Sequence, residues 1–467
     1  MIDLSNVSFV YEGADRPSVT NVDLQISPGE VVVLCGRSGC GKTTVTRIVN
    51  GLAGDFYAGE LSGSVCIGGQ ETSTLEPWQV SAHVGSVFQN PRTQFFNLDT
   101  TGEIAFGMEN RGDDRDDMHA QMMKVSRELA IAHLLDRDIF ALSGGQKQAI
   151  AFASVHAMEP SAYVLDEPSS NLDAASMRDL ARFIMRAKQK GAAVLVAEHR
   201  LAYLSPVADR FVLMEEGCAT QQWNAAEFAG LSEQERSVHG LRSPSPPSIG
   251  RLVHRLSAPL QGKPLCETRE LVAGYGQNDA VLDRCTVGFD RGCVTGVIGG
   301  NGAGKTTLLS CLCGLKKESA GHVCFDGEAV PPRHRPRQAF LVMQDPDYQL
   351  FRTSVRAELS CAPHLRSPVE DARVDAMLHR FGLYDMAGRH PSSLSGGQKQ
   401  RTVCAMAALS PARVLLFDEP TSGLDFDSMR HLASTMRALA EEGRAVVAVS
   451  HDTEFLSAAC DRIVQLE

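Results

Sequence analysis

The fold is decided by the stretch Gly36-Arg37-Ser38-Gly39-Cys40-Gly41-Lys42-Thr43-Thr44. It follows the short apolar run Val31-Val-Val-Leu-Cys35, which is typical of a strand buried on both faces. Spaced glycines before a lysine and a threonine form a strand-to-helix loop that wraps a phosphate with its backbone N–H groups, while the lysine reaches the β and γ phosphates. The stretch therefore predicts a P-loop, with the Thr43 hydroxyl as a Mg²⁺ ligand.

The chain contains this pattern twice. The second copy is Gly299-Gly300-Asn301-Gly302-Ala303-Gly304-Lys305-Thr306-Thr307. Three further segments are repeated 252 positions apart, whereas the two loop lysines lie 263 positions apart. These segments are Leu142-Ser143-Gly144-Gly145-Gln146 with Leu394-Ser395-Gly396-Gly397-Gln398, Asp166-Glu167-Pro168 with Asp418-Glu419-Pro420, and His199 with His451. An internal repeat of this kind predicts two tandem domains of the same fold.

The length of 467 residues suits two or three domains. Arg242-Ser-Pro-Ser-Pro-Pro-Ser-Ile-Gly250 is rich in residues that interrupt helices and strands, which favours a linker. We predict a first domain over 1–234, a linker over 235–262 and a second domain over 263–467. Short apolar runs alternate with stretches of helical spacing, such as 174–189 and 427–440, and this alternation predicts an α/β fold with a parallel sheet.

The composition narrows the class of protein. The net charge of −11 lacks the basic excess of proteins that bind nucleic acid, so no nucleic-acid partner is expected. The 13 cysteines contain no C-x-x-C pair, which favours reduced thiols over a disulfide or zinc framework. No apolar run reaches the roughly 18 residues of a membrane span, and the N-terminus lacks a signal pattern, so we expect a cytoplasmic protein.

Each half also ends a predicted strand in adjacent carboxylates. We expect Asp166 and Asp418 to bind Mg²⁺, directly or through water. We expect Glu167 and Glu419 to orient and deprotonate the attacking water.

With the two Leu-Ser-Gly-Gly-Gln segments, the sequence resembles the ATPase subunits of ATP-binding-cassette systems over nearly its whole length. The resemblance implies that each half has a RecA-like P-loop core, an antiparallel β-subdomain and a helical subdomain. It also implies that each Leu-Ser-Gly-Gly-Gln begins a helix and faces the γ-phosphate held by the opposite domain. The two halves could therefore pair within one chain, and pairing with another ATPase stays open. A helix N-terminus suits this role because its free N–H groups attract anions. The residues concerned are Ser143, Gly144, Gly145, Gln146, Ser395, Gly396, Gly397 and Gln398.

The remaining family positions are also filled. The resemblance implies that Tyr11 and Tyr275 stack on adenine, that Gln89 and Gln344 sense Mg²⁺ and water, and that His199 and His451 contact the γ-phosphate. It places the contacts between domains at 170–173 and 422–425. The first half departs from the pattern at Ala149, where the second keeps Arg401, and at Asn171, which replaces a small residue. These departures leave the phosphate chemistry intact.

The segments 89–96 and 344–351 share the pattern Gln-x-Pro-x-x-Gln-[Phe/Leu]-Phe, which resembles the ATPases of energy-coupling-factor transporters. This resemblance implies an importer of a vitamin or metal ion that works on the cytoplasmic face of the membrane. Its partners would be a shared transmembrane coupling protein and a substrate-capture protein. Exposed aromatic residues here would receive a helix of a membrane subunit, although Phe95, Phe96 and Phe351 could instead be core residues.

Two other functions stay open at this point, a sugar-type importer with fused ATPases and a soluble protein acting on the ribosome or on chromosomes. The basic segment 333–337 predicts a solvated loop.

Overall fold

Short strands and helices alternate along the chain, as the sequence predicts. The computed structural model describes every residue except 171, 258–261, 276–279, 362–368 and 467. The chain divides into a first unit that runs from Met1 to Ser245 and a second unit that begins at Pro246.

The first unit contains eleven strands and eight α-helices within its described residues. The strands are β1 (Ile2–Tyr11), β2 (Val19–Ile26), β3 (Val31–Cys35), β4 (Ala53–Gly54), β5 (Tyr57–Ile67), β6 (Gln70–Glu71), β7 (Val84–Val87), β8 (Ala162–Asp166), β9 (Ala193–Ala197), β10 (Arg210–Glu215) and β11 (Cys218–Asn224). The helices are α1 (Lys42–Val49), α2 (Pro77–His83), α3 (Thr100–Arg111), α4 (Arg115–Glu128), α5 (Gly144–Ala157), α6 (Ala174–Gln189), α7 (Ala225–Gly230) and α8 (Glu233–Val238).

Two sheets organise this unit. The larger has the order β11-β10-β3-β9-β8-β7, and all its neighbours are parallel except β10 and β11. Its central strand β3 is apolar and buried on both faces, which is why the run 31–35 carries no alternation of polar residues. The smaller sheet has the order β2-β1-β5-β4, with β6 paired to β5. The carboxyl ends of β3, β8 and β9 therefore share one edge, where ligands bind in such sheets.

The second unit repeats this plan. Its strands are β12 (Cys266–Gly274), β13 (Ala280–Phe289), β14 (Val294–Ile298), β15 (Ala320–Phe325), β16 (Glu328–Ala329), β17 (Ala339–Val342), β18 (Val414–Asp418), β19 (Ala445–Val449) and β20 (Arg462–Gln465). Its helices are α9 (Ile249–Leu256), α10 (Lys305–Cys313), α11 (Val355–Ser360), α12 (Asp371–Arg380), α13 (Gly396–Leu409), α14 (Phe426–Glu441) and α15 (Thr453–Ala459). The parallel sheet has the order β17-β18-β19-β14-β20, and the antiparallel sheet has the order β13-β12-β15-β16.

The two parallel sheets therefore place equivalent strands in the same order. β7, β8, β9, β3 and β10 of the first unit correspond to β17, β18, β19, β14 and β20 of the second. This confirms the prediction of two tandem α/β domains, each with a parallel core, an antiparallel sheet and a helical part. The predicted helix over 174–189 coincides with α6, whose N-terminus is capped by the Asp173 side chain.

The segment 235–262, predicted as a linker, contains the end of α8 and the whole of α9, and α9 packs against β20 and α15. The basic segment is only partly a solvated loop, since Arg335 is buried. Its guanidinium contacts both Glu318 carboxylate oxygens, at 2.8 and 2.5 Å, and donates to the Cys311 carbonyl at 2.9 Å. The charge pattern of the sequence did not show that one of these arginines has a buried partner.

No helix within the described residues is long and apolar enough to cross a membrane.

Candidate active sites

Each P-loop connects the central parallel strand to a helix. Gly41 has a φ of 102°, and a Cβ atom there would lie 2.6 Å from the Ser18 carbonyl oxygen, so only glycine fits. The Lys42 ammonium donates to the Gly36 and Arg37 carbonyls at 3.0 and 2.9 Å. The Lys305 ammonium makes the same contacts with Gly299 and Gly300, at 2.8 and 2.9 Å. In both units the lysine ammonium thus bridges two carbonyls of its own loop and holds the loop in a curved shape.

The predicted metal ligands lie side by side in both units. The Thr43 hydroxyl donates to Asp166 at 3.0 Å, and the Thr306 hydroxyl donates to Asp418 at 2.8 Å. Burial and the charge of Glu167 raise the pKa of Asp166 to about 6, and burial also raises the pKa of Asp418. A hydroxyl and a carboxylate oxygen are hard donors of the kind that Mg²⁺ prefers, so this pair fits a magnesium ion bound with nucleotide.

The predicted bases meet the predicted histidines next to these ligands. His199 Nε2 lies 3.4 Å from Glu167 Oε1, and His451 Nε2 lies 3.5 Å from Glu419 Oε1. The Gln89 amide also donates to Glu167, at 2.8 Å. Burial alone would raise the pKa of Glu167, but the hydrogen bond and charge of His199 hold it below its ordinary value. This carboxylate is therefore ionised near neutral pH and can accept a proton.

The backbone also aims these carboxylates. Glu167 and Glu419 adopt left-handed conformations, with φ of 41° and 45°, at the turn that leaves the strand. Residues other than glycine seldom take this conformation, and such positions cluster at functional sites. Both units keep the same turn, with the glutamate N–H bonded to the last carbonyl of the neighbouring strand, at 2.8 Å for Ala197 and 3.0 Å for Val449.

Both Leu-Ser-Gly-Gly-Gln segments begin a helix, as the family resemblance implies. Ser143 caps α5 and Ser395 caps α13, and each forms a capping box with the glutamine three residues later. The Ser143 N–H donates to the Gln146 side chain at 2.9 Å, and the Ser395 N–H does the same with Gln398 at 2.9 Å. The first N–H groups of a helix have no acceptor within it, so both helices offer donors to an anion.

The two predicted adenine-stacking tyrosines have different surroundings. The Tyr11 hydroxyl accepts from Arg47 at 2.9 Å and lies 3.2 Å from the Thr44 hydroxyl. The Tyr275 hydroxyl accepts from Thr307 at 3.4 Å, and the Lys316 ammonium lies 3.9 Å from the ring centroid. Both hydroxyls are thus hydrogen-bonded, and the cation lies closer to the ring in the second unit, since the Arg47 guanidinium is 6.0 Å from the Tyr11 ring centroid.

The segments after Gln89 and Gln344 carry exposed aromatic rings. The exposed fractions of Phe96 and Phe351 are 74% and 79%, whereas Phe95 packs against the first unit's core. Phe96 stacks on Phe106 of α3, with centroids 4.9 Å apart. Of the three aromatic residues, only Phe95 has the core position that the alternative interpretation assigned to all of them.

The structure brings together the P-loop, Asp166, Glu167, Gln89 and His199 in the first unit. In the second unit it joins the corresponding loop to Asp418, Glu419 and His451, while Gln344 follows β17 at the position of Gln89 after β7. Asn171 lies outside the described residues. Sequence reasoning assigned no structural role to Glu198, Arg200 or Tyr203.

Comparisons with known proteins agree with the resemblance to ATP-binding-cassette ATPases over most of the chain. The profile of the ABC transporter family matches residues 19–170 and 282–422. A Treponema denticola protein, provisionally described as an ABC transporter ATP-binding protein, is 40% identical over 469 residues and is matched over 95% of its length. A Bacillus subtilis protein, provisionally named the HMP/thiamine import ATP-binding protein YkoD, is 30% identical over 494 residues and is matched over 90% of its length. Both matches span 100% of this chain.

Among solved structures, one described as RNase-L Inhibitor matches with a TM-score of 0.66 and 22% identity. The match covers 98% of this chain and 87% of the other. At this identity the likeness shows the fold alone.

Proposed function

The chain belongs to the ABC transporter family, and from that premise we propose that it is the energy-coupling subunit of a membrane importer of the energy-coupling-factor type. It is an ABC ATPase with two fused domains, and such domains bind and hydrolyse ATP. Its membrane partners would import a vitamin or a metal ion.

Lys42 and Lys305 bind the β and γ phosphates of ATP in this proposal. Each ammonium now contacts two loop carbonyls, so its charge is already held at the loop that would wrap the phosphates. Exchange of these carbonyl contacts for phosphate oxygens satisfies the ammonium with stronger, charge-assisted hydrogen bonds.

Thr43 with Asp166 and Thr306 with Asp418 would hold Mg²⁺, with Gln89 and Gln344 beside them. The ion would neutralise negative charge on the phosphates during transfer. The donor set favours this role, because both pairs supply hydroxyl and carboxylate oxygens within hydrogen-bond distance.

Glu167 and Glu419 act as general bases that take a proton from the attacking water. The contact between Glu167 and His199 keeps the carboxylate ionised and fixes its orientation. His199 and His451 would contact the γ-phosphate.

We further propose that the two halves pair within the chain, so that each γ-phosphate meets the Leu-Ser-Gly-Gly-Gln helix of the other half. ATP that bridges both halves binds the closed state better than the open one. Hydrolysis removes this stabilisation of the closed state. Closing and opening would then move the membrane subunits as rigid bodies.

The importer role is carried by the exposed rings of Phe96 and Phe351. They stand at matching positions after Gln89 and Gln344. A helix of a membrane subunit bound there would lie next to the ATP-binding site, so ATP binding could act on it directly. Aromatic side chains of this size are favoured anchors at protein interfaces. The full-length similarity to a relative named for thiamine import also supports an importer role.

The test is to purify the tagged full chain from its own cells in mild detergent and to identify co-purifying proteins by mass spectrometry. We expect one integral membrane protein together with one or more small, very apolar membrane proteins. The latter would also identify the substrate.

A matched pair of variants makes this test specific. Phe96→Ser with Phe351→Ser removes both exposed rings and should release the membrane proteins. Trp78→Ser, which removes a ring that is 70% exposed on α2, should retain them. Recovery of ribosomal proteins, or of no membrane protein, would overturn the importer role and leave the ATPase assignment intact.

A further inference from the structure

In the first unit, a buried carboxylate organises the turn that carries His199. Glu198 follows β9 directly and is 3% exposed. Its Oε1 accepts from the backbone N–H groups of His199 and Arg200, at 2.7 and 2.9 Å. Its Oε2 accepts from the Tyr203 hydroxyl, at 3.0 Å. Three donors thus fix one carboxylate, and two of them are backbone groups on either side of the histidine Cα.

Arg200 connects this turn to a second loop. Its guanidinium Nη1 donates to the Leu172 carbonyl at 3.4 Å. Along the sequence, Leu172 lies between the proposed base Glu167 and the start of α6. The Nε of Arg200 is buried and lacks a hydrogen-bond partner within the described part of the chain. A buried donor without a partner is unfavourable, so the remaining contacts of the guanidinium must hold it there.

The second unit uses other residues at the equivalent positions. Ser450, Asp452 and Phe455 stand where the first unit has Glu198, Arg200 and Tyr203. The Ser450 hydroxyl accepts from the Asp452 N–H at 3.1 Å, and the Asp452 carboxylate accepts from the Phe455 N–H at 3.1 Å, which caps α15. A helix cap therefore takes the place of the arginine in the second unit. The Ser450 hydroxyl, which lies 3.5 Å from the Thr421 hydroxyl, joins this turn to the loop after Glu419.

We propose that Glu198 and Arg200 are positioning residues of the first site alone. Glu198 sets the backbone on both sides of His199, and Arg200 ties that turn to the Leu172 loop, so the histidine and the base keep one relative position. Hydrolysis at the first site then depends on an arginine that the second site replaces with Asp452. This inference rests on the proposed role of His199 at the γ-phosphate.

The test measures hydrolysis at each half separately in the full chain. The protein is incubated with 8-azido-ATP and vanadate, and vanadate traps the ADP form only where hydrolysis has occurred. Photolysis attaches the probe, and peptide mass spectrometry assigns it to residues 1–245 or 246–467. The same labelling at 4 °C without vanadate measures nucleotide binding.

For Arg200→Ala we expect trapping in the first half to fall by about ten-fold, because small displacements of catalytic groups have effects of this size or larger. Trapping in the second half, and binding in both halves, should change less than about two-fold. Arg200→Lys should keep at least half of the trapping, since the ammonium can still reach the carbonyl. Glu198→Gln should show a smaller loss in the first half, because its amide oxygen still accepts from the backbone.

Arg186→Ala removes an exposed arginine of α6 and serves as the matched control, with no expected loss. Equal losses in both halves, or a loss of binding together with trapping, would overturn the proposal, as would normal trapping in Arg200→Ala. His199→Ala separates the two hypotheses. If it retains trapping in the first half, the proposed role of His199 fails; if it loses trapping while Arg200→Ala does not, only the link is wrong.

Discussion

The two halves agree at the atoms that would act on ATP and differ in what surrounds them. The glutamate-to-histidine distances are 3.4 and 3.5 Å, and the threonine-to-aspartate distances are 3.0 and 2.8 Å. The turn that carries the histidine, the contacts of the tyrosine ring and the buried ion pairs differ. The geometry of bound phosphate constrains the glutamate–histidine and threonine–aspartate contacts. The histidine turn, the tyrosine ring and the buried ion pairs can be stabilised by several different arrangements of side chains.

Two buried clusters illustrate this divergence. In the first unit, His156 Nδ1 lies 2.7 Å from the Tyr163 hydroxyl, and His156 Nε2 lies 3.3 Å from Glu128. The second unit has Ala408 and Leu415 at the positions of His156 and Tyr163, and it buries the pair of Arg335 and Glu318 elsewhere. Each half thus contains a polar cluster with its own sensitivity to mutation or pH.

The largest effect should come from the feature that the halves share. Glu167→Gln with Glu419→Gln should lower steady-state phosphate release by at least about 100-fold, since proton transfer contributes this much or more. Binding of a fluorescent ATP analogue should persist, because glutamine keeps the size of the side chain. The single variants show how much each half contributes. Normal hydrolysis in the double variant would remove both glutamates from the role of base.

The next effect should distinguish the halves by stability. Arg335→Ala leaves the Glu318 carboxylate, whose side chain is 12% exposed, without its partner, which should destabilise the second unit by about 3 kcal/mol. Hydrogen exchange in urea, resolved by peptide, should show earlier opening of the second unit and little change in the first. The control is Arg333→Ala, which removes an exposed arginine of the same segment. Equal destabilisation by both variants would mean that the ion pair is not what stabilises the unit.

A smaller effect should appear with pH in the first unit. Burial and the charge of Lys190 lower the pKa of His156 and outweigh the opposing effects of Glu128 and Glu159. A histidine with a lowered pKa binds protons better when unfolded, so its contribution to stability is present above about pH 6.5 and is lost as the pH falls. The urea midpoint of the first unit should therefore drop between about pH 7.5 and 5.5, and less so in His156→Ala. Identical pH slopes in the two proteins would contradict this origin.

The smallest effect should come from the tyrosine rings. The Lys316 ammonium over Tyr275 should contribute about 0.5 to 1 kcal/mol, so Lys316→Ala should weaken nucleotide binding by the second half by about two- to five-fold. Titration with a fluorescent ATP analogue measures this change. In a Tyr275→Leu background the same substitution should have no further effect. A persistent effect there would show that the lysine acts without the ring.

The sequence predicted the parts that repeat. The glycine spacing located both P-loops. The repeated Asp-Glu pairs and histidines predicted side chains that the structure brings together next to those loops. It could not predict that Arg335 is buried or that Glu198 binds two backbone N–H groups. These contacts depend on which segments the fold brings together, and a charged residue in the sequence does not reveal its distant partner. Tyr203 was missed because nothing in its local sequence distinguishes it from an ordinary core residue.

The left-handed turn at Glu167 and Glu419 has a consequence for protein engineering. A non-glycine residue in this conformation costs about 1 kcal/mol or more, so glycine or asparagine at either position would relieve backbone strain. A directed-evolution screen that rewards heat resistance alone would enrich such variants, because they would survive heating better than the parent. They would also lack the carboxylate. A thermostability screen on this scaffold should therefore score ATP turnover in every round, or it will select stable proteins that keep their nucleotide.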